Sequence, residues 1–171
     1  MAKPVQFVLL LGLACLVSAV FGALHNQLSY SVGAGYFYEF KFPQFGVTED
    51  LQNRLGAALV GVRASWWMGL MLGVPVFGLA CVLLPSSRVM PVGVAAIVIA
   101  MICTLIGAMI GLVLGLYAPQ VADQLPLPSG ISDEGSFLRA ALMHEGAYFG
   151  AGFGLLAGLW VVWGARKPAS A

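Results

Sequence analysis

Apolar residues run along this chain in four long blocks, roughly 5–24, 55–84, 91–118 and 137–163, separated by short polar stretches. A helix rising 1.5 Å per residue needs about 20 residues to cross a hydrocarbon core of about 30 Å. Each block meets that length. The pattern predicts an all-α membrane protein whose single domain, 1–171, is a bundle of four transmembrane helices at about 5–24, 49–84, 91–118 and 133–163. The two longer connections, 25–48 and 119–132, are its loops. Thr48-Glu49-Asp50 and Ser132-Asp133-Glu134 each set a hydroxyl before two acids, which suits the start of a helix and the positive end of its dipole.

Charge then orients the bundle. The N-terminal segment, the turn around Arg88 and the C-terminal segment hold Lys3, Arg88, Arg166 and Lys167 without one acid, whereas the longer loops hold Glu39, Glu49, Asp50, Asp123, Asp133 and Glu134 against Lys41, Arg54 and Arg139. By the positive-inside rule both termini are cytoplasmic and both longer loops, including a structured first loop, are extracytoplasmic. Lys3 before an apolar run and Val20-Phe21-Gly22 after it also suit a signal peptide, but the first block reads as a retained anchor. Trp66, Trp67, Trp160 and Trp163 suit anchors at the two interfaces.

Composition agrees and removes one class of function. The chain is 60% hydrophobic and 9% charged with a formal charge of +1, whereas soluble domains carry about 25% charged residues. No basic run exists, so nucleic-acid binding is not expected. Cys15, Cys81 and Cys103 fall in apolar blocks at unrelated spacings and read as packing residues.

Small residues recur at intervals of four within the blocks: Gly61, Ser65, Gly69 and Gly73 in the second, Gly146, Gly150, Gly154 and Gly158 in the fourth. The third adds Gly107, Gly111 and Gly115, and the first adds Ala14, Ser18 and Gly22. In lipid, where hydrophobicity does not drive helices together, such flat stripes let backbones approach closely. The expectation is that the second and fourth helices meet through their stripes, or that a stripe receives a membrane-protein partner or a second copy. Laying Arg54 on Arg139 also aligns the two stripes, the mark of two duplicated hairpins.

Polar chemistry gathers at one depth. Counting about 20 residues from the cytoplasmic ends brings His25, Arg63, His144 and Glu145 to the outer edge of the membrane. Ionisable groups there favour pairing, and Arg63 with Glu145 is the natural pair. Above them, Leu28, Tyr30 and Val32 alternate with Ser29 and Ser31, and Glu39 and Lys41 with Phe40 and Phe42, which predicts extended chain on both sides of a Gly33-Ala34-Gly35 turn. That loop reads as a lid anchored by its aromatic residues, with His25, Asn26, Gln27, Tyr30 and Glu39 on its underside. His25, His144 and a carboxylate from Glu145 or Glu39 are candidate zinc or copper ligands, because imidazole with carboxylate suits those ions. No His-x-x-x-His spacing supports them.

The stretches LHNQLSY and YFYEFKFPQF, followed by GAALVGVRASWW and MHEGAYFG, resemble a group of uncharacterised bacterial four-helix integral membrane proteins. These share a His-(Asp/Asn)-Gln-x-(Ser/Thr)-Tyr opening and a Phe-Lys-Phe-x-Gln-Phe run. Gly33-Ala34-Gly35 stands where the group carries Ser-Pro-Glu, and Glu145 where it often carries Asn. The resemblance implies the bacterial inner membrane and no particular activity. The foremost expectation is a non-catalytic accessory or structural subunit of a membrane assembly. The alternatives are an outer-leaflet protein binding a metal or small ligand, and a component of an oligomeric transporter or channel. Intramembrane proteolysis is not expected, since no Asp lies inside a helix and no Ser/His pair falls at a suitable depth.

Overall fold

The structure, a computed structural model, describes residues 1–122 and 128–166. Asp123 and Lys167, used in the charge argument, lie outside them. The described residues are helical almost throughout. Four helices are long and apolar enough to cross a membrane: α1 (Lys3–Val32), α3 (Arg54–Leu83), α4 (Ser86–Tyr117) and α5 (Glu134–Ala165). Between α1 and α3 lie a π-helical turn (Phe37–Lys41), the short helix α2 (Phe42–Phe45) and a 3-10 turn (Glu49–Leu51).

The first correction to the sequence reading concerns the end of α1. It does not stop at Leu24 but runs on to Val32, so His25, Asn26, Gln27 and Tyr30 belong to a helix and not to a loop. No glycine or proline interrupts residues 23–32. The buried face of this last stretch is polar, carrying His25, Asn26 and Ser29, while Leu24 and Leu28 face outward. What reads as a two-residue alternation is a helix turned polar side in. It ends at Gly33, whose N–H reaches the Ser29 carbonyl at 2.9 Å, and a Cβ on Gly33 would overlap the Ser136 backbone.

The rest of the first loop is helical too, not extended. The chain turns at Gly33 and Ala34 as expected, then winds into the wide turn Phe37–Lys41, where the Phe42 N–H bonds the Phe37 carbonyl. Pro43 opens α2 and Gly46, at φ 60°, closes it in the left-handed conformation that favours glycine. The caps also differ from expectation. Asn53, not Thr48, caps α3, accepting from Leu55 N at 2.8 Å and Gly56 N at 3.3 Å, and Asp133, not Ser132, caps α5 by accepting from Ser136 N at 3.1 Å. The third helix begins at Ser86, ahead of the expected Pro91.

The stripes pack helices closely, but not the pair expected. α1 packs chiefly on α3 and α4 chiefly on α5, so the bundle is two tight hairpins. A Cβ on Gly61 would strike the Gly22 carbonyl, and one on Gly69 would overlap the backbone at Ala14 and Cys15. Likewise a Cβ on Gly146 would strike the Gly107 carbonyl, one on Gly150 the Cys103 carbonyl, and one on Gly154 would lie 2.7 Å from the Cα of Ala100. Gly73 faces Leu11 and Phe77, and Ser65 faces Gly22. Of the glycines in these two stripes, Gly158 alone looks across the hairpins, towards Val76 at 3.4 Å, and it also meets Ala96 of its own hairpin at 3.5 Å. The stripes of α3 and α5 do not pair with each other because each is already occupied by the small residues of its own hairpin partner.

The two hairpins are fastened to each other at both ends. At the end holding Lys3 and Ala165, the buried Gln6 amide donates to the Ser86 carbonyl at 2.9 Å and accepts from Met90 N at 3.0 Å, bracketing the first turn of α4. Arg88 donates to the Ala165 carbonyl at 3.0 Å at the same end. At the loop end, Tyr36, Phe37 and Phe42 from the first loop bury themselves with Ala57, Val60, Phe137 and Ala140. Glu39 accepts from the N–H of Ser132 at 3.3 Å and from its hydroxyl, joining the two longer loops. Between these fastenings a cavity opens among the four long helices.

Candidate functional site

The space between the hairpins is a cavity of about 130 Å³ reached by side chains of all four long helices. Its lining along α1 runs from Ala14 to Asn26, which at the helical rise is about 18 Å. The deep end is apolar, with Val76, Phe77 and Ala96; isolated hydroxyls of Ser18, Ser65 and Thr104 mark the middle. Thr104 Oγ1 is already turned to the Ala100 carbonyl at 2.7 Å. Polar side chains collect only at the loop end, where His25, Asn26, Lys41, His144 and Tyr148 meet. No carboxylate of the described residues lines the cavity.

The two histidines come together, as equal depth predicts, through rings rather than through a shared ion. Their centroids are 4.6 Å apart with the planes at 88°. His144 Nε2 sits 3.2 Å from Ser29 Oγ, and the Tyr36 ring stacks on His144 at 4.9 Å. Asn26 Nδ2 donates to the Ala57 carbonyl at 2.8 Å. His25 is only 8% exposed and stacks beside Phe21, yet its Nε2 is buried without a hydrogen-bond partner, the one such side-chain atom among the described residues. Buried polar atoms in native proteins nearly always have partners, which sets this one apart.

The other expected site residues go elsewhere. Arg63 does not pair with Glu145; it donates to the Phe45 carbonyl at 3.0 Å and lies over the Phe45 ring. Glu145 is on the exposed side of α5, beside Tyr148 and Phe149. Gln27 donates to the Arg54 carbonyl at 2.8 Å, and Tyr30 shares a 2.8 Å hydroxyl contact with Tyr38, both at the rim of the first hairpin. Glu39 serves the loop junction. The underside of the lid is therefore aromatic, not polar. Among the described residues no three His, Cys, Asp or Glu side chains form a group able to hold a metal, so His25 and His144 offer two imidazoles without the third ligand that Glu145 or Glu39 was expected to give.

Sequence reasoning also missed a Ser/His pair. Ser29 and His144 form one, but Ser29 is completely buried and does not line the cavity, so the pair is a tie between α1 and α5. Lys41, noted only for its charge, reaches the cavity from the π-helical turn; its Nζ donates to Gln44 Oε1 at 3.1 Å and rests over the Phe40 ring at 4.7 Å. Burial lowers the Lys41 ammonium below its ordinary value, against the opposing pull of the Glu145 carboxylate. Burial likewise raises the Tyr36 phenol, with Tyr148 and Glu145 adding to it, so Tyr36 stays a neutral ring against His144. Signals for these residues existed in the sequence only as departures from an apolar background.

The described residues thus form an all-helical bundle with four helices long and apolar enough to cross a membrane and a cavity between its hairpins. Set against protein-family models, curated proteins and solved structures, the chain matches none.

Proposed function

We propose that this chain is a bacterial inner-membrane protein, termini in the cytoplasm, that binds a single-chain amphiphile in the slot between its hairpins. The observation that carries this reading is the slot itself: long, mostly apolar with isolated hydroxyls midway, and with its larger polar side chains gathered at the loop end. Ligand sites in membrane-embedded bundles are built in this way, as apolar clefts between helices with a few polar groups that fix orientation. A volume of about 130 Å³ is close to the roughly 150 Å³ of an engineered apolar cavity that admits benzene. Lined along about 18 Å of helix, it suits one extended chain better than a compact fused ring system. The acid-free segments around Lys3 and Arg88 support the orientation.

Purification of the full chain from native membrane in mild detergent, followed by mass spectrometry of bound lipid and of co-purifying protein, tests the reading. An amphiphile retained at one per chain, and lost when Ala151, a buried residue lining the slot, is enlarged to Leu, is the expected result. A wild-type chain that carries no amphiphile but a stoichiometric protein partner would replace this reading with the accessory-subunit one.

A further inference from the structure

Among the buried side-chain polar atoms of the described residues, one lacks a partner. His144 Nε2 faces Ser29, Asn26 Nδ2 faces the Ala57 carbonyl and Lys41 Nζ faces Gln44, whereas His25 Nε2 faces none. His25 lines the slot where it changes from apolar to polar, its ring stacked beside Phe21 and perpendicular to His144. Its Nε2 calls for one small oxygen, not for a charged group with several.

The charges around the slot narrow the chemistry further. No carboxylate of the described residues lines it, so an ammonium head would be buried without a counter-ion, which is costly. The one lining cation, Lys41, is already held by Gln44 and by the Phe40 and Tyr36 rings, and the Glu145 carboxylate acts on it as well. An anionic head would have to compete for it. A neutral acceptor oxygen needs no counter-ion and completes the orphaned N–H that His25 offers in its Nε2-protonated tautomer.

We infer that the slot takes an amphiphile whose head presents a neutral carbonyl oxygen to His25 Nε2 while its chain lies along α1 towards Ala14. This rests on the slot reading above and adds the class of head group. The same carbonyl chemistry occurs in an acyl ester and in the ring of a lipid quinone. Both are candidates for the source.

Binding of defined probes to the full chain in nanodiscs tests it. Monomyristoylglycerol, tetradecane, myristate and tetradecylamine share one chain length and differ in the head, and decylubiquinone sets a quinone ring on a somewhat shorter chain. At least one of the two carbonyl probes should bind on the order of tenfold tighter than tetradecane, the span of one hydrogen bond plus the relief of a buried unpaired group. The infrared carbonyl band of that probe, labelled with carbon-13, should move to lower frequency on binding. His25→Phe should erase both the preference and the band shift, and His25→Gln, which keeps an N–H donor, should retain part of each. Preference for either carbonyl probe supports the inference and names the source. Tighter binding of myristate or tetradecylamine overturns it, as does equal binding of tetradecane, while both leave the slot standing. Failure of every probe to bind overturns the slot reading itself. Should His25→Phe not fold, the order of the probes on the wild-type chain decides alone.

Discussion

Ser29 on α1 and His144 on α5 stand 3.2 Å apart, Oγ to Nε2, and are the side-chain hydrogen bond that joins the two hairpins directly beneath the first loop. The serine is fully buried in a helical stretch that also buries His25 and Asn26. Its hydroxyl is thereby committed to the imidazole.

Removing it strands a buried nitrogen. Ser29→Ala should destabilise the protein by about 1–3 kcal/mol, the cost of an unsatisfied buried polar group. Ser87→Ala, at an exposed position, should stay within about 0.5 kcal/mol of wild type. Combining Ser29→Ala with His144→Phe should cost less than the sum of the two single changes, since the second removes the nitrogen that the first strands. Unfolding of detergent-solubilised protein measures all four; strict additivity would mean that the two side chains do not interact.

The glycines divide sharply by what lies opposite them. Gly61→Ala and Gly146→Ala drive a methyl into the Gly22 and Gly107 carbonyls and should each cost about 1–3 kcal/mol through overpacking. Gly152 has nothing within 4 Å of an added Cβ, so Gly152→Ala should stabilise α5 by about 0.5–1 kcal/mol. Equal effects at the two kinds of site in thermal unfolding would refute the hairpin packing.

Asp133 gives a pH signature. Hydrogen bonds from the Ser136 side chain and backbone hold its carboxyl below the ordinary value of 3.8 in the folded protein. A depressed folded pKa means that the stabilisation is complete above 3.8 and is lost as pH falls through the folded value. The melting temperature of wild type should therefore exceed that of Asp133→Asn by a constant margin at pH 5 to 6, and the margin should shrink steadily in more acidic buffers. A margin independent of pH would show that the carboxylate does not hold the cap.

Orientation is open to chemical labelling. With Cys15, Cys81 and Cys103 replaced, a cysteine placed at Ser31 should react with an impermeant thiol reagent in intact cells, and one at Ser87 only after permeabilisation. Both positions are exposed in the fold. The reverse pattern would invert the topology.

The four spans were legible because hydropathy over about 20 residues leaves few alternatives. The last turns of α1 were not, because there the helix buries polar residues and exposes Leu24 and Leu28, opposite to the pattern of a soluble protein. The glycine stripes were legible as stripes. Which stripe meets which was not: spacing defines a flat face, and Gly22 and Gly107 were as well suited to fill it as any other partner. Gln6 escaped notice as a lone amide in an apolar run, though it brackets the start of α4. Depth counting did bring His25 and His144 to one level, but equal depth places residues on a ring around the bundle without saying which neighbours face inward. Arg63 and Glu145 share that ring and still turn to different partners.

The wide turn Phe37–Lys41 sets a rule about length. Each helical residue advances the chain by about 100°, so deleting one residue here would tighten the turn and swing Phe42 away from Ala57 and Val60 towards the aqueous side. The same deletion would draw Lys41 off the mouth of the slot. Related chains should therefore tolerate exchange of outward side chains between Gly33 and Gly46 far better than the gain or loss of a single position, and an insertion scan across this segment should find function falling at every step.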